Sequence, residues 1–132
     1  MPKLLHKELT DAIIGIYYNV FNELGYGFLE RVYQNAMYAE LKKEGFDTDA
    51  QKQIKVYYKG LLVGDYFADL LVDKSVILEL KACEVLVEEH EIQLLNYLRA
   101  TNVEVGLLLN FGKKPEFKRM VYTNDRKNLK TN

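Results

Sequence analysis

The sequence is poor in the residues that build disulfides and zinc sites, with one cysteine, Cys83, and two histidines. A single cysteine cannot form an internal disulfide, and no Cys/His cluster has zinc-site spacing, so a disulfide scaffold and a zinc finger are both excluded. No apolar run approaches the ~18 residues of a membrane span, and the first residues are too polar for a signal peptide. We therefore expect a cytoplasmic protein without a membrane partner.

A strong excess of charge of either sign is also missing. Eighteen Lys and Arg residues against nineteen Asp and Glu residues give a formal net charge of −1. This balance excludes a protein that holds nucleic acid by bulk electrostatics. The charge is nevertheless uneven, because residues 112–132 contain seven basic and two acidic residues. The pattern indicates an acidic body with a basic C-terminal strip.

The sequence has the composition of an ordinary globular protein, since 48% of its 132 residues are hydrophobic and 28% are charged. This length suits one domain and leaves little room for a second. We expect a single domain over residues 1–132, in which residues 122–132 form a loose basic tail.

The periodicity of apolar residues predicts eight elements in the order α-α-β-β-β-α-β-β. The predicted helices cover residues 9–24, 28–44 and 87–100, and the predicted strands cover residues 53–58, 61–71, 75–81, 103–110 and 117–122. The third strand, the last helix and the fourth strand have the length of a right-handed parallel crossover, whereas the short turns before them favour antiparallel pairs. The expected fold is α/β, with a mixed central sheet of about four to five strands flanked by helices.

Three charged residues stand out at the predicted hairpin of the second and third strands. Glu79 and Lys81 are two residues apart on one strand, so their side chains share a face about 6.6 Å apart along it. Asp69 precedes the turn on the other strand and could lie close to them. Two converging carboxylates repel unless a cation lies between them, and Mg²⁺ accepts such ligands. The alternative is a hairpin with a cross-strand ion pair.

The sequence resembles the PD-(D/E)XK nuclease superfamily in three motifs that occur in the expected order over residues 9–112. The first is Asp69 followed by Glu79-Leu80-Lys81. The second, Gly27-Phe-Leu-Glu30-Arg-Val-Tyr33, is similar to the signature of the small bacterial GxxExxY proteins, a branch of that superfamily. The third, Gln93-Leu-Leu-Asn-Tyr97, is similar to the Q-x-x-x-Y motif of RecB-like and lambda-exonuclease-like nucleases. The resemblance implies a restriction-endonuclease-like core.

The resemblance also implies a role for each matched residue. Asp69 and Glu79 would hold the metal, with the carbonyl of Leu80 as a further ligand, and Lys81 would be the catalytic lysine. Glu30 would match the helical acidic residue that contacts the metal or its water. The proline that commonly precedes the aspartate is Ala68 here. The implied cofactor is Mg²⁺ or Mn²⁺.

The resemblance implies that Gln93 and Tyr97, which share a helix face at a spacing of four residues, would orient Lys81 or contact a substrate phosphate. They could instead only bridge the helix and the sheet by hydrogen bonds. Glu30 flanks the apolar stripe of its helix, and Glu40 is a rival for inward contact with a lysine. Tyr33 lies on the stripe itself, which favours a core residue over a catalytic one.

These features favour a metal-dependent nuclease that hydrolyses phosphodiester bonds, with Lys113, Lys114 and Arg119 contacting phosphates. The expected partner is nucleic acid, with DNA favoured over RNA, and the resemblance suggests a homodimer. Two alternatives stay open. One is a non-catalytic nucleic-acid-binding or accessory module that retains the nuclease fold, and the other is a purely structural subunit with a closed Glu79–Lys81 salt bridge.

Overall fold

The computed structural model describes residues 5–127, which form three α-helices and five β-strands in the predicted order. The helices are α1 (Lys7–Leu24), α2 (Glu30–Lys43) and α3 (Glu88–Ala100). The strands are β1 (Thr48–Tyr58), β2 (Leu61–Val72), β3 (Val76–Lys81), β4 (Val105–Phe111) and β5 (Pro115–Val121). None of the helices in this part of the chain is long and apolar enough to cross a membrane.

The five strands form one mixed sheet in the order β1-β2-β3-β4-β5. Three of the four neighbouring pairs are antiparallel, and β3 and β4 are parallel. The parallel pair requires a crossover because the chain must return to the same end of the sheet, and α3 supplies it. The prediction of a mixed α/β sheet with four to five strands flanked by helices is confirmed.

The two faces of the sheet are covered by different helices. Even-numbered residues of β3, such as Leu78, pack with α1 and α2, whereas Ile77 packs with α3. Because successive strand residues point to opposite faces, a strand covered on both sides reads as an uninterrupted apolar run. Nearly every residue of β3 and β4 is buried, so these are the central strands.

Tyr33 fixes the connection between α1 and α2. Its ring is fully buried and stacks on Phe111 with 4.1 Å between ring centroids. Its hydroxyl donates to the Gly25 carbonyl at 2.7 Å and accepts from the Phe28 N–H at 3.2 Å. Gly27 has a φ of +110°, which favours glycine. Tyr33 is thus a core residue that holds the turn before α2, as its position on the apolar stripe indicates.

Tyr17 joins α1 to the opposite end of the sequence. It is fully buried, and its hydroxyl donates to the Asn110 carbonyl and accepts from the Glu116 N–H at 2.9 Å. Burial raises the pKa of Tyr17 to about 12, so the hydroxyl keeps its proton for this contact. The first helix is therefore fastened to β4 and β5.

The predicted loose tail is held in place as far as Lys127. The Lys127 ammonium donates to the carbonyls of Thr101 and Val103 at 2.9 and 2.7 Å. The Asn124 N–H donates to the Glu104 carboxylate at 2.8 Å. Residues 123–127 therefore pack against the segment that follows α3, and residues 128–132 of the predicted tail lie outside the described residues.

Candidate active site

Asp69 and Glu79 face each other where β2 and β3 separate. Ladder pairing between these strands covers three rungs and ends at Leu70 opposite Leu78. Beyond that rung the bonds involve side chains, because the Asp69 N–H donates to Glu79 Oε2 and the Leu80 N–H donates to Asp69 Oδ2, both at 2.8 Å. Each carboxylate therefore accepts a hydrogen bond from the backbone of the opposite strand, which keeps the two acidic groups together.

The two carboxylates have too little positive charge nearby to balance their own negative charge. Glu79 is 4% exposed, and burial together with the neighbouring Asp69 raises its pKa to about 8. Burial also raises the pKa of Asp69, although the Leu80 N–H and Lys81 oppose the rise. A buried acid beside a half-buried one favours a proton or a cation, because either lowers the repulsion between the two carboxylates.

Lys81 lies on the same strand face as Glu79 and is half-buried. Its charge lowers the pKa of both carboxylates, which places it close to the pair. Within residues 5–127, however, Lys81 makes no ion pair, and the one present joins Lys7 to Asp11 on the surface of α1. The alternative of a closed Glu79–Lys81 salt bridge is therefore not observed, although Glu79 is closed to solvent as that alternative expects.

Gln93 and Tyr97 approach the same place from α3. The Gln93 amide donates to the Tyr97 hydroxyl at 3.1 Å, as their spacing of four residues allows. Burial raises the pKa of Tyr97 to about 12, and the charges of Glu79 and Asp69 add to the rise. The tyrosine hydroxyl thus lies near both carboxylates as a neutral hydrogen-bonding group, and its ring lies 5.9 Å from that of Tyr66.

Glu30 stays at the edge of the site. It is the first residue of α2, is exposed, and raises the pKa of both Asp69 and Glu79. The rival Glu40 lies about 15 Å further along the same helix by the helical rise. Across residues 5–127 no group of three or more His, Cys, Asp or Glu side chains is arranged to hold a metal ion. The structure thus brings together two of the three predicted acidic ligands.

The residues that meet here fit a hard divalent cation. The available ligands are oxygens, namely the carboxylates of Asp69 and Glu79 and the carbonyl of Leu80. Oxygen ligands suit Mg²⁺ and Mn²⁺ better than they suit Zn²⁺. Mg²⁺ is commonly held by one or two carboxylates and keeps several waters, so two acidic side chains are sufficient.

The segment that follows Lys81 is fixed by residues that the sequence reasoning missed. Asn110 is fully buried, and its side chain donates to the Cys83 carbonyl at 2.8 Å and accepts from the Cys83 N–H at 3.1 Å. Glu116 accepts from the Leu86 N–H at 3.2 Å. A Cβ on Gly112 would lie 2.4 Å from the Cys83 carbonyl oxygen. One signal was available, since Asn110 is a lone amide in the apolar run of β4.

The basic residues predicted to contact phosphate divide into two groups. Lys113 and Lys114 are exposed in the turn after β4, beside the end of β3. Arg119 pairs with Leu107, which packs with α1 and α2, and its guanidinium donates to the Leu5 carbonyl. Glu79 instead shares its face with α3. Arg119 is therefore not brought to the site, and its predicted phosphate contact there is corrected to a structural contact with the start of the chain.

A model of the PD-(D/E)XK nuclease superfamily matches residues 7–120. The chain belongs to the PD-(D/E)XK nuclease superfamily. The match includes both carboxylates, Lys81 and the Gln93–Tyr97 pair. No curated protein matches the chain.

A solved structure described as "Crystal structure of SSO0001" is similar to this PD-(D/E)XK domain. The TM-score is 0.56 at 17% sequence identity, over 70% of this chain and 50% of that one. At this identity the similarity concerns the fold, and it agrees with the restriction-endonuclease-like core expected from the motifs. The chain spans about half the length of that protein.

Proposed function

We propose that this protein is a Mg²⁺- or Mn²⁺-dependent nuclease that hydrolyses phosphodiester bonds, with DNA as the favoured substrate. The observation that carries the proposal is the buried Glu79 carboxylate and the half-buried Asp69 carboxylate, each bound by a backbone N–H of the opposite strand where β2 and β3 separate. Lys81 stands beside this pair without an ion-pair partner among the described residues. A metal bound there would lower the pKa of a water that attacks the scissile phosphate.

Each neighbouring side chain has a separate task in this proposal. Asp69 and Glu79 would hold the cation, with the Leu80 carbonyl as a further ligand, and Glu30 would contact the metal or its water. Lys81 orients the attacking water or stabilises negative charge as it develops on the phosphate. Gln93 holds the Tyr97 hydroxyl, which orients Lys81 or donates to a phosphate oxygen.

The motif around Glu30 supports placing the protein in the GxxExxY branch. Gly27 has the positive φ that its turn requires, and Tyr33 binds that turn through its hydroxyl. Both residues therefore determine where Glu30, at the start of α2, stands relative to the carboxylate pair. Two of the three fixed residues of the motif, Gly27 and Tyr33, thus support the third, Glu30.

Cleavage assays with matched lysine variants test the proposal. Purified protein with Mg²⁺ or Mn²⁺ should cleave at least one of a set of single- and double-stranded DNA and RNA substrates. Lys81→Ala should abolish cleavage, whereas Lys43→Ala, an exposed lysine at the far end of α2, should leave it unchanged. Cleavage by Lys81→Ala at the wild-type rate would refute the assigned site.

A non-catalytic module that retains the fold is the second candidate, because a cluster of three or more acidic or other metal-binding side chains is absent from residues 5–127. Calorimetric titration with Mn²⁺ separates the two functions. Binding that Asp69→Asn abolishes would favour the nuclease. A flat titration, together with no cleavage of any substrate, would favour the module.

A further inference from the structure

Gln51 interrupts β1 directly opposite Asp69. Pairing between β1 and β2 joins Ala50 to Leu70 and Lys52 to Ala68, and Gln51 stands between these rungs with a φ of +54°. A residue other than glycine rarely adopts this left-handed backbone conformation. The backbone strain that it carries persists only where the surrounding structure enforces it. The backbone is therefore irregular at the rung that carries a proposed metal ligand.

The partner strand β2 changes faces at the same rung. Ala68 packs with α3, whereas Leu70 and Val72 pack with α1 and α2, and Leu71 packs with α3. Strict alternation would place Ala68 and Leu70 on the same face of the sheet. The change therefore falls at Asp69, between them. The irregular residues of the two strands, Gln51 and Asp69, are neighbours.

The side chain of Gln51 connects this rung to α2. Its amide nitrogen donates to the Gln34 side-chain oxygen at 2.9 Å, and Gln34 is 8% exposed. Gln51 stands opposite Asp69 on this rung, and the Gln51 side chain approaches the Asp69 carboxyl. A glutamine amide has two N–H groups, which suffices for one bond to Gln34 and one to a carboxylate.

We propose that Gln51, held by Gln34, is a positioning residue that orients the Asp69 carboxylate for metal binding. The inference rests on the proposed function, since it assigns Asp69 as a ligand. Partners that orient metal ligands commonly change metal affinity by about 10- to 100-fold when they are removed.

Mn²⁺ titration calorimetry on the full chain tests this role with two matched variants. Gln51→Gly removes the side chain at a φ that glycine adopts without strain, so the backbone irregularity is retained. Gln53→Gly is the control, because the Gln53 amide also bonds to a carboxylate, that of Asp65 at 2.9 Å, further along the hairpin. We expect about tenfold weaker binding for Gln51→Gly and less than about twofold change for Gln53→Gly.

A second variant keeps the test decisive if Gln51→Gly folds poorly. Gln34→Leu leaves β1 unchanged and should also weaken Mn²⁺ binding, and its effect should not add to that of Gln51→Gly because both act through one contact. Equal affinity for wild type, Gln51→Gly and Gln34→Leu would overturn the positioning role while leaving the nuclease proposal standing. A wild type that binds no Mn²⁺ would overturn both.

Discussion

At the scale of single residues, the candidate site is built on carboxylates that are bound by backbone N–H groups and make no ion pair within residues 5–127. Asp69 and Glu79 each accept one bond from the opposite strand. These bonds stabilise the ionised forms, but burial works against them, and burial is the larger effect in both residues. The consequence is an acidic pair whose charge is coupled to the stability of the fold.

This coupling predicts that the metal-free protein loses stability as pH rises. The pKa of Glu79 is about 8 in the folded chain against an ordinary 4.5, so its contribution is fully present below about 4.5 and is lost as pH rises through 8. Glu79→Gln cannot ionise and should be the more stable protein near pH 8, by at least about 1 kcal/mol. Urea denaturation in EDTA between about pH 5 and pH 8 measures the difference.

Glu89→Gln, an exposed change at the start of α3, is the matched control and should follow the wild-type pH profile. Parallel profiles for wild type and Glu79→Gln would contradict the prediction. Saturating Mg²⁺ should reduce the loss of stability in wild type, because a ligand that binds the folded state stabilises it.

The hydroxyl of Tyr33 gives a prediction about the stability of the fold. Tyr33→Phe keeps the ring on Phe111 but removes the hydroxyl that bonds Gly25 and Phe28. Leaving these partners unpaired should lower the free energy of unfolding by about 1–2 kcal/mol, measured by chemical denaturation. Tyr26→Phe, where the ring is 58% exposed, should cost less than about 0.5 kcal/mol. An equal cost for both variants would show that the hydroxyl contacts are not stabilising.

At the scale of elements, the packing of α3 on β4 is the contact that brings Gln93 and Tyr97 to the carboxylates. A Cβ on Gly106 would lie 2.7 Å from Leu94 Cδ1, closer than ordinary van der Waals contact. A residue larger than glycine at this position therefore requires the Leu94 side chain to shift. Leu94 is fully buried in this contact, so it cannot move aside freely.

Gly106→Ala should therefore destabilise the protein by about 1–3 kcal/mol through overpacking. Leu94→Ala should destabilise it by about 2–5 kcal/mol by leaving a cavity. The double variant should cost less than the two single changes together, because the added methyl group occupies part of that cavity. Thermal or urea unfolding of the four proteins measures the coupling, and strict additivity would contradict the proposed contact.

The order and type of the elements could be predicted because apolar periodicity reports which faces are covered. The largest error is β1, which begins at Thr48 rather than at residue 53. Its first residues are mainly exposed and polar, so they carry no periodic signal, and the backbone ladder to β2 holds them. The pattern of side chains along the sequence does not predict long-range backbone pairing of this kind.

The candidate site could be predicted in part for a similar reason. Asp69, Glu79 and Lys81 share a face by strand alternation, and Gln93 and Tyr97 share one by helical spacing. The positions of Glu30, Arg119 and Gln51 depend on how whole elements pack and on one left-handed backbone residue. The spacing of residues along the sequence predicts neither the packing of whole elements nor this backbone conformation.

At the scale of the whole molecule, the near-zero net charge conceals a separation between acidic and basic regions. Three of the acidic residues, Glu30, Asp69 and Glu79, belong to or border the site, and a divalent cation would offset part of their charge. Lys113 and Lys114 stand exposed beside the end of β3. A nearly neutral protein of this kind should bind nucleic acid weakly and lose that binding as salt rises.

Lys113→Ala combined with Lys114→Ala should weaken binding to oligonucleotides of any sequence. The slope of log affinity against log salt should fall by about 1–2, because each phosphate contact contributes about one. Fluorescence anisotropy in a Lys81→Ala background measures binding without cleavage. The matched pair Lys42→Ala and Lys43→Ala, at the far end of α2, should keep the wild-type slope. Equal slopes in both double variants would remove these two lysines from the interface.

The buried hydroxyl of Tyr17 has a consequence for how the chain acquires its fold during synthesis. Its partners, Asn110 and Glu116, follow it by 93 and 99 residues. At translation rates of about 5–20 residues per second, α1 leaves the ribosome roughly 5–20 seconds before the strands that receive it. During that interval α2 and the first three strands can already cover part of its apolar face, but the partners of the Tyr17 hydroxyl are still missing. The domain becomes complete only after β5 has emerged.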